Sequence, residues 1–282
     1  MTNPTEHDLL GATGRAWRAL GDGLPQGGDG VLRVVLTDVD GVITPGEGQA
    51  ADLAVLEALG RWNRAALADP AVPALALCTG RQAPYVELMA QMTGTFLPCI
   101  FEHGAGLYLP SVFRYLFDPQ LGADYSARLA AVRAALDGPL LRSGRAFVQP
   151  GKEATMSLYP LGDQSVAAVC EAARGLVPHD WDVERNLHGV EVRPHGISKG
   201  LGAQRLSQLL GIPLDHMAGV GDSDPDLSYL RQVGFSAAPN NASPAVQQGV
   251  DYVAEAAYGA GLLDILRRIE QRNRQPQSGT QA

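Results

Sequence analysis

Short apolar runs that stop at acidic, hydroxyl or glycine residues alternate with helical stripes over residues 31–109, and this alternation constrains the fold more than any other feature. Val31 to Thr37 reads VLRVVLT, the β-branched run of a buried strand, and ends in Asp38-Val39-Asp40-Gly41. Leu53, Leu56, Leu59 and Trp62 follow at spacings of three, a helical stripe within 49–67. Pro73 to Thr79 is a second apolar strand that ends in Thr79-Gly80-Arg81, and a helix is expected from Ala83 to Met92. Pro98 to Leu109 reads as a strand, a turn over 103–106 and another strand. Strands alternating with helices in this way build parallel βαβ units.

The rhythm then changes. A helix is expected over 124–137, strands over 145–149 and 154–159, a second helix over 164–177, and strands over 181–185 and 188–193. Helix-strand-strand, twice, makes an antiparallel sheet with helices on one face. Val190 and Val192 alternate with Glu191 and Arg193, which predicts that the other face is solvated. After Lys199 the βα rhythm returns: a helix over 199–210, a strand from Met217 to Val220, a helix near 225–232, a strand from Gly234 to Ala237 and a last helix near 261–272. The expectation is an α/β protein with a parallel-sheet core from 31–111 and 195–272 and an inserted α+β cap domain at 112–194. Residues 1–30 form an N-terminal extension with one apolar stretch around Trp17 and Leu20, and 273–282 read as a disordered tail.

Composition narrows the function. With 282 residues, 45% hydrophobic and 18% charged, the chain can bury a large core. No run approaches the roughly 18 apolar residues of a membrane span, and MTNPTEHDLL lacks the basic start and apolar stretch of a signal peptide. Cys78, Cys99 and Cys170 are scattered without metal-ligand spacing, which suits a reduced, cytoplasmic protein. The net charge of −8 with no basic stripe argues against nucleic acid and membrane as partners. Of the 22 Lys+Arg residues only Lys152 and Lys199 are lysines.

Ligands of a parallel sheet bind beyond the carboxyl ends of its strands. There the sequence sets Asp38 and Asp40 after the first strand, Thr79-Gly80 after the second, Lys199 at a helix start, and Asp222 with Asp226 after a later strand. Each alone has a plain structural explanation, as a capped loop, an N-cap or a solvated helix start. Together they match a hard-oxygen site for Mg²⁺ beside a phosphate cradle, and acids so clustered repel one another unless a cation neutralises them.

Asp38-Val39-Asp40-Gly41-Val42-Ile43-Thr44, Cys78-Thr79-Gly80-Arg81, Lys199 and Gly221-Asp222 to Asp226 resemble, in this order, the four motifs of haloacid dehalogenase superfamily phosphatases, and Asn240-Asn241-Ala242 is similar to a segment that follows the fourth. Only 41 positions separate Asp38 from Thr79, too few for a cap, whereas 120 separate Thr79 from Lys199. That resembles the subgroup with an αββαββ cap after the second motif, which includes archaeal-type phosphoglycolate phosphatases and sucrose-phosphate phosphatases. The resemblance implies a Rossmann-like core and hydrolysis of a small phosphorylated metabolite, phosphoglycolate first and sugar phosphates next. It implies Asp38 as nucleophile forming an aspartyl-phosphate, and Asp40 as general acid and then base. It implies Thr79, Gly80 and Lys199 around the phosphoryl group, and Mg²⁺ held by Asp38, the backbone carbonyl of Asp40, Asp222 and Asp226. Two positions depart from the pattern: Pro225, where Asn is common before the last Asp, and His103, where Asn is common after the Glu.

Two other functions share these residues. A phosphomutase would return the phosphoryl group to a sugar, a choice that rests with the cap and that the cap sequence leaves open; a non-catalytic phospho-acceptor or metabolite-binding module would keep it, and against that stand the length, the cap and Asp40. Lys152 lies in the cap between two expected strands. It either overhangs the site and meets the substrate's leaving group or is a hairpin lysine paired with Glu153. His103 and the other histidines show neither triad nor metal spacing and are expected to be structural, as are Asp224, Cys78 and Trp62.

Overall fold

The computed structural model describes residues 23–24, 30–186 and 188–275. The stretch around Trp17 and Leu20 lies outside them, as does the tail from 276 onward.

The core is a five-stranded parallel sheet: β1 (Val34–Thr37), β2 (Ala74–Leu77), β10 (Met217–Val220), β11 (Phe235–Ala238) and β12 (Tyr252–Val253), in the spatial order β12-β11-β10-β1-β2. β1 sits at its middle, paired Thr37 to Val220 on one side and Thr37 to Leu77 on the other. All four β1 residues are fully buried, as a strand covered on both faces must be. The register brings the last residues of β1, β2 and β10 level, so the turns that follow them share one edge of the sheet.

Two apolar layers cover this sheet. One joins Val35, Leu75 and Leu77 to helices α1 (Leu53–Ala66), α2 (Ala83–Thr93) and α6 (Tyr258–Arg274); the other joins Val34, Leu36 and Ala76 to α5 (Lys199–Leu210). Each fully buried leucine or valine contributes about 1.5–3 kcal/mol relative to exposure. The stripe of α1 is turned from the expected one: Val55, Leu56, Leu59 and Asn63 face the core, while Leu53 in the first turn is 69% exposed. Asn63 is tolerated there because its amide donates to Thr93 O and its carbonyl accepts from Leu75 N.

A three-stranded antiparallel sheet, β3 (Cys99–Phe101), β4 (Gly106–Leu109) and β5 (Arg114–Phe117), continues from β2 through a bridge between Cys78 and Ile100. The cap follows: α3 (Tyr125–Leu136), β6 (Ala146–Val148), β7 (Met156–Pro160), α4 (Val166–Arg174), β8 (Trp181–Arg185) and β9 (Val190–Pro194), with its sheet ordered β6-β7-β9-β8. Its own apolar core includes Val132, Leu136, Leu158, Val169, Trp181, Val190 and Val192. The opposite face of β9 is not solvated. Glu191 and Arg193 are 7% and 8% exposed, because that polar face is turned onto the core and closes a cavity. Among the described residues no helix is long and apolar enough to cross a membrane, and the three cysteines are free and buried.

Candidate active site

The turn after β1 folds back at once. Thr44 N and Ile43 N both donate to Val39 O, and Gly41 takes a left-handed φ of 81°. A Cβ at Gly41 would stand 2.1 Å from Asp222 Oδ2, so glycine is required both by the backbone and by the approach of that carboxylate. Gly41→Ala is expected to lower stability by about 1–3 kcal/mol, read as a shift in the urea midpoint at constant slope; an unchanged midpoint would mean the turn has room that this packing denies it.

Asp38 is 5% exposed at the end of β1. Its Oδ1 accepts from Val39 N at 2.7 Å and its Oδ2 lies 2.7 Å from Lys199 Nζ. Lys199 opens α5, whose N-cap Ser198 accepts from Leu201 N. The same ammonium reaches Asp226 Oδ1 at 2.5 Å. Asp226 Oδ2 accepts from Asp222 N, Ser223 N and Ser223 Oγ in a capping box, so both oxygens of this fully buried carboxylate are engaged. Asp222 differs: its Oδ1 is buried with no hydrogen-bond partner.

Burial, together with Asp226 beside it, pushes the Asp222 carboxyl up to about 7; burial likewise holds Asp38 well above the usual carboxylate range. Burial opposes the charge on Lys199, but Asp226 and Asp38 outweigh it and hold the ammonium well above the ordinary lysine value. Oxygen atoms of Asp38, Asp222 and Asp226 lie within 4.8 Å of one another. A group of hard donors with one unsatisfied oxygen fits a divalent cation.

Asp40 is held differently. Arg81 grips its carboxylate with two hydrogen bonds, Nε to Oδ2 at 2.6 Å and Nη2 to Oδ1 at 2.9 Å. The guanidinium stacks over Tyr85 and lies 3.6 Å from Glu47 Oε1, which accepts from Tyr159 of the cap at 2.8 Å. Thr79, 1% exposed, accepts from Arg81 N through Oγ1. Arg81 has no expected role from its sequence position; its place directly after Thr79-Gly80 was the available signal.

Asp38, Asp40, Thr79, Gly80, Lys152, Lys199 and Asp222 line one cavity of about 310 Å³ between core and cap. Asp226 does not line it; it stands behind Lys199 and the Asp222 backbone. Asp224 turns away and accepts from Ser243 Oγ. Lys152 is neither a solvated hairpin lysine nor paired with Glu153. Its side chain is 3% exposed, 3.0 Å from Glu191 Oε2, with Ser157 Oγ as a second partner. His103, expected to be structural, lines the same cavity, its Nε2 3.3 Å from Glu191 Oε2. Its neighbour Glu102 ties the two layers together: the carboxylate accepts from Glu153 N, Ala154 N, Thr155 N and Thr155 Oγ1 of the loop that carries Lys152.

A family model described as haloacid dehalogenase-like hydrolase matches residues 164–266. The phosphoglycolate phosphatase of Halorubrum lacusprofundi is 28% identical over 241 residues, covering 83% of this chain and 96% of that protein. That of Methanothermobacter thermautotrophicus is 25% identical over 243 residues, covering 84% and 99%. Among solved structures, one from Thermoplasma acidophilum superposes with a TM-score of 0.66 at 17% identity, covering 85% of this chain and 99% of that one. The sucrose-phosphatase of Synechocystis, solved with sucrose and phosphate, gives 0.61 at 18% identity, covering 85% and 98%. At such identities the superpositions speak for the fold: a parallel core carrying a cap.

Proposed function

The chain is a phosphatase of the haloacid dehalogenase superfamily, and from that premise we propose that it hydrolyses a small phosphorylated metabolite through an aspartyl-phosphate on Asp38, with Mg²⁺ held at the acidic cluster. The observation that carries this reading is the buried ammonium of Lys199 set between Asp38 and Asp226, in a cavity that Asp40, Thr79 and Asp222 also line.

Asp38 and Asp222 would hold the cation directly, with the Asp40 backbone carbonyl beside them. Asp226, whose oxygens are already engaged, would act by orienting Lys199 and the Asp222 backbone or through water. The bound cation supplies positive charge against the phosphoryl oxygens.

Asp38 attacks phosphorus, and the bond to the leaving oxygen breaks as Asp40 donates a proton to it. Asp40, now a carboxylate, takes a proton from the water that attacks the phosphoaspartate. Inorganic phosphate leaves and Asp38 is free again. Arg81 fixes the plane of the Asp40 carboxylate for the second transfer, when it takes the proton from water. Lys199 and the Thr79 hydroxyl meet the negative charge of the transferring group, and Gly80 leaves its backbone open to it.

The test is phosphate release from p-nitrophenyl phosphate. Many turnovers with Mg²⁺, none after EDTA, restoration by Mg²⁺ and poor restoration by Ca²⁺ are expected; one equivalent of bound phosphate and no turnover would instead identify a phospho-acceptor module. Asp222→Ala is expected to raise the Mg²⁺ concentration for half-maximal rate by at least about tenfold, and Asp224→Ala by less than about twofold. Equal shifts in a Mg²⁺ titration would overturn the ligand assignment.

A further inference from the structure

We propose that His103 and Glu191, with Lys152, form a leaving-group subsite that selects a hydroxyl over a carboxylate, so that the substrate is the phosphomonoester of a polyol or sugar alcohol group and not of a hydroxy acid. This rests on the phosphatase reading above and narrows its substrate.

His103 is 7% exposed; its Nε2 faces Glu191 Oε2 at 3.3 Å, and its Nδ1 has no hydrogen-bond partner. A buried ring nitrogen without a partner is costly, and a ligand group in the cavity would satisfy it. The ring fills the space left by the missing side chain of Gly80: a Cβ there would lie 2.3 Å from His103 Nε2. His103 therefore stands between the Thr79-Gly80 turn, where the phosphoryl group is proposed to sit, and Glu191 of the cap. That is the position of the first atoms beyond the ester oxygen.

Charge decides what those atoms can be. Each lysine and arginine lining the cavity is already matched with carboxylates: Arg81 with Asp40 and Glu47, Lys152 with Glu191, Lys199 with Asp38 and Asp226. Ser157, Gln149 and Asn186 add neutral polar groups at the cap end. A leaving-group carboxylate would find no lysine or arginine free of a carboxylate partner and would face the buried Glu191, a like-charge contact. A hydroxyl both donates and accepts. It can donate to Glu191 or to the bare nitrogen of His103, and accept from the N–H of His103 or from a Lys152 proton left over by Ser157 and Glu191. Burial lowers the basicity of His103, in keeping with a neutral ring that offers one donor and one acceptor.

The test compares two esters that differ only at this position, 2-hydroxyethyl phosphate and 2-phosphoglycolate. The ratio of their kcat/KM values is read within each variant, where a reduced folded fraction cancels. In the unmodified enzyme the ratio is expected to favour the hydroxyl ester by about tenfold or more. Glu191→Gln, which removes the repelling charge and frees Lys152, is expected to bring the ratio to about one or invert it, and His103→Phe to lower it by about tenfold through the lost hydrogen bonds. A preference for phosphoglycolate in the unmodified enzyme, or an unchanged ratio in both variants, overturns the subsite. So does turnover of p-nitrophenyl phosphate with turnover of neither ester. Failure on p-nitrophenyl phosphate as well would be failure of the phosphatase reading itself.

Discussion

Asp38→Asn is expected to reduce kcat on the order of 10⁴-fold or more while leaving the protein folded. The amide has nearly the shape of the carboxylate, but its oxygen carries no charge and its nitrogen has no lone pair free to attack phosphorus. The local contacts show why the fold survives. The amide oxygen can keep the hydrogen bond from Val39 N, and Lys199, deprived of Asp38, still pairs with Asp226. The change also removes one of three acids crowded around one ammonium. Metal-free Asp38→Asn is therefore expected to melt no lower than the metal-free parent. Acid quenching during turnover should trap one phosphate per chain on the parent and none on the variant. Activity above a trace would move the nucleophile elsewhere, and Asp40, held by Arg81 on both oxygens, would be the next carboxylate to examine.

The parts of this site that the sequence made legible are those that sit at the ends of sheet strands. Thr37, Leu77 and Val220 are in register across three parallel strands, so polar residues just beyond each run must converge, whatever the loops do. The order of elements in the cap was legible for the same reason, since each short strand ends at a turn. Contacts made between layers were not. Glu191 and Arg193 have the alternation of a solvated face, and nothing in that period tells water from a second domain. Lys152 has Glu153 next to it in sequence, yet its partner is Glu191 on β9 of the cap sheet. β5 and β12 were missed because four residues and two residues carry too little periodicity to stand out. Asp226 is expected from the sequence as a metal ligand of the fourth motif, but only the capping box reveals that its oxygens are spent on Lys199, Ser223 and the backbone. His103 carried a signal in its departure from the motif pattern, but the lodging of its ring over Gly80 is a contact between separate turns that no local period records.

Lys199→Ala is expected to fail on every phosphate ester, and to do so for a reason separable from its effect on stability. Lys199 is 3% exposed, and its ammonium lies 2.7 Å from Asp38 Oδ2 and 2.5 Å from Asp226 Oδ1. No second cation touches either acid among the described residues. Removing it leaves Asp38, Asp222 and Asp226 buried together without compensation, and removing one partner of a buried pair costs on the order of 3–5 kcal/mol. Asp226 and Asp38 hold the ammonium pKa above its ordinary value, so the charge is present through the neutral range and its contribution fades only under strongly alkaline conditions. The stability loss should therefore appear as a lower urea midpoint at pH 7, and lowering the pH, which protonates the stranded acids, should narrow the gap from the parent. Mg²⁺ should narrow it too, since it brings positive charge to the same oxygens. The rate should not recover with it. Lys199 is proposed to meet charge on the transferring phosphoryl group, and loss of one such donor costs about 10²–10³ in kcat. Assayed well below its melting temperature and at saturating Mg²⁺, Lys199→Ala should lose the same factor on p-nitrophenyl phosphate as on any alkyl phosphate. A loss confined to some esters would place the lysine on the leaving group, and recovery of the rate along with the fold would reduce it to a structural counter-ion.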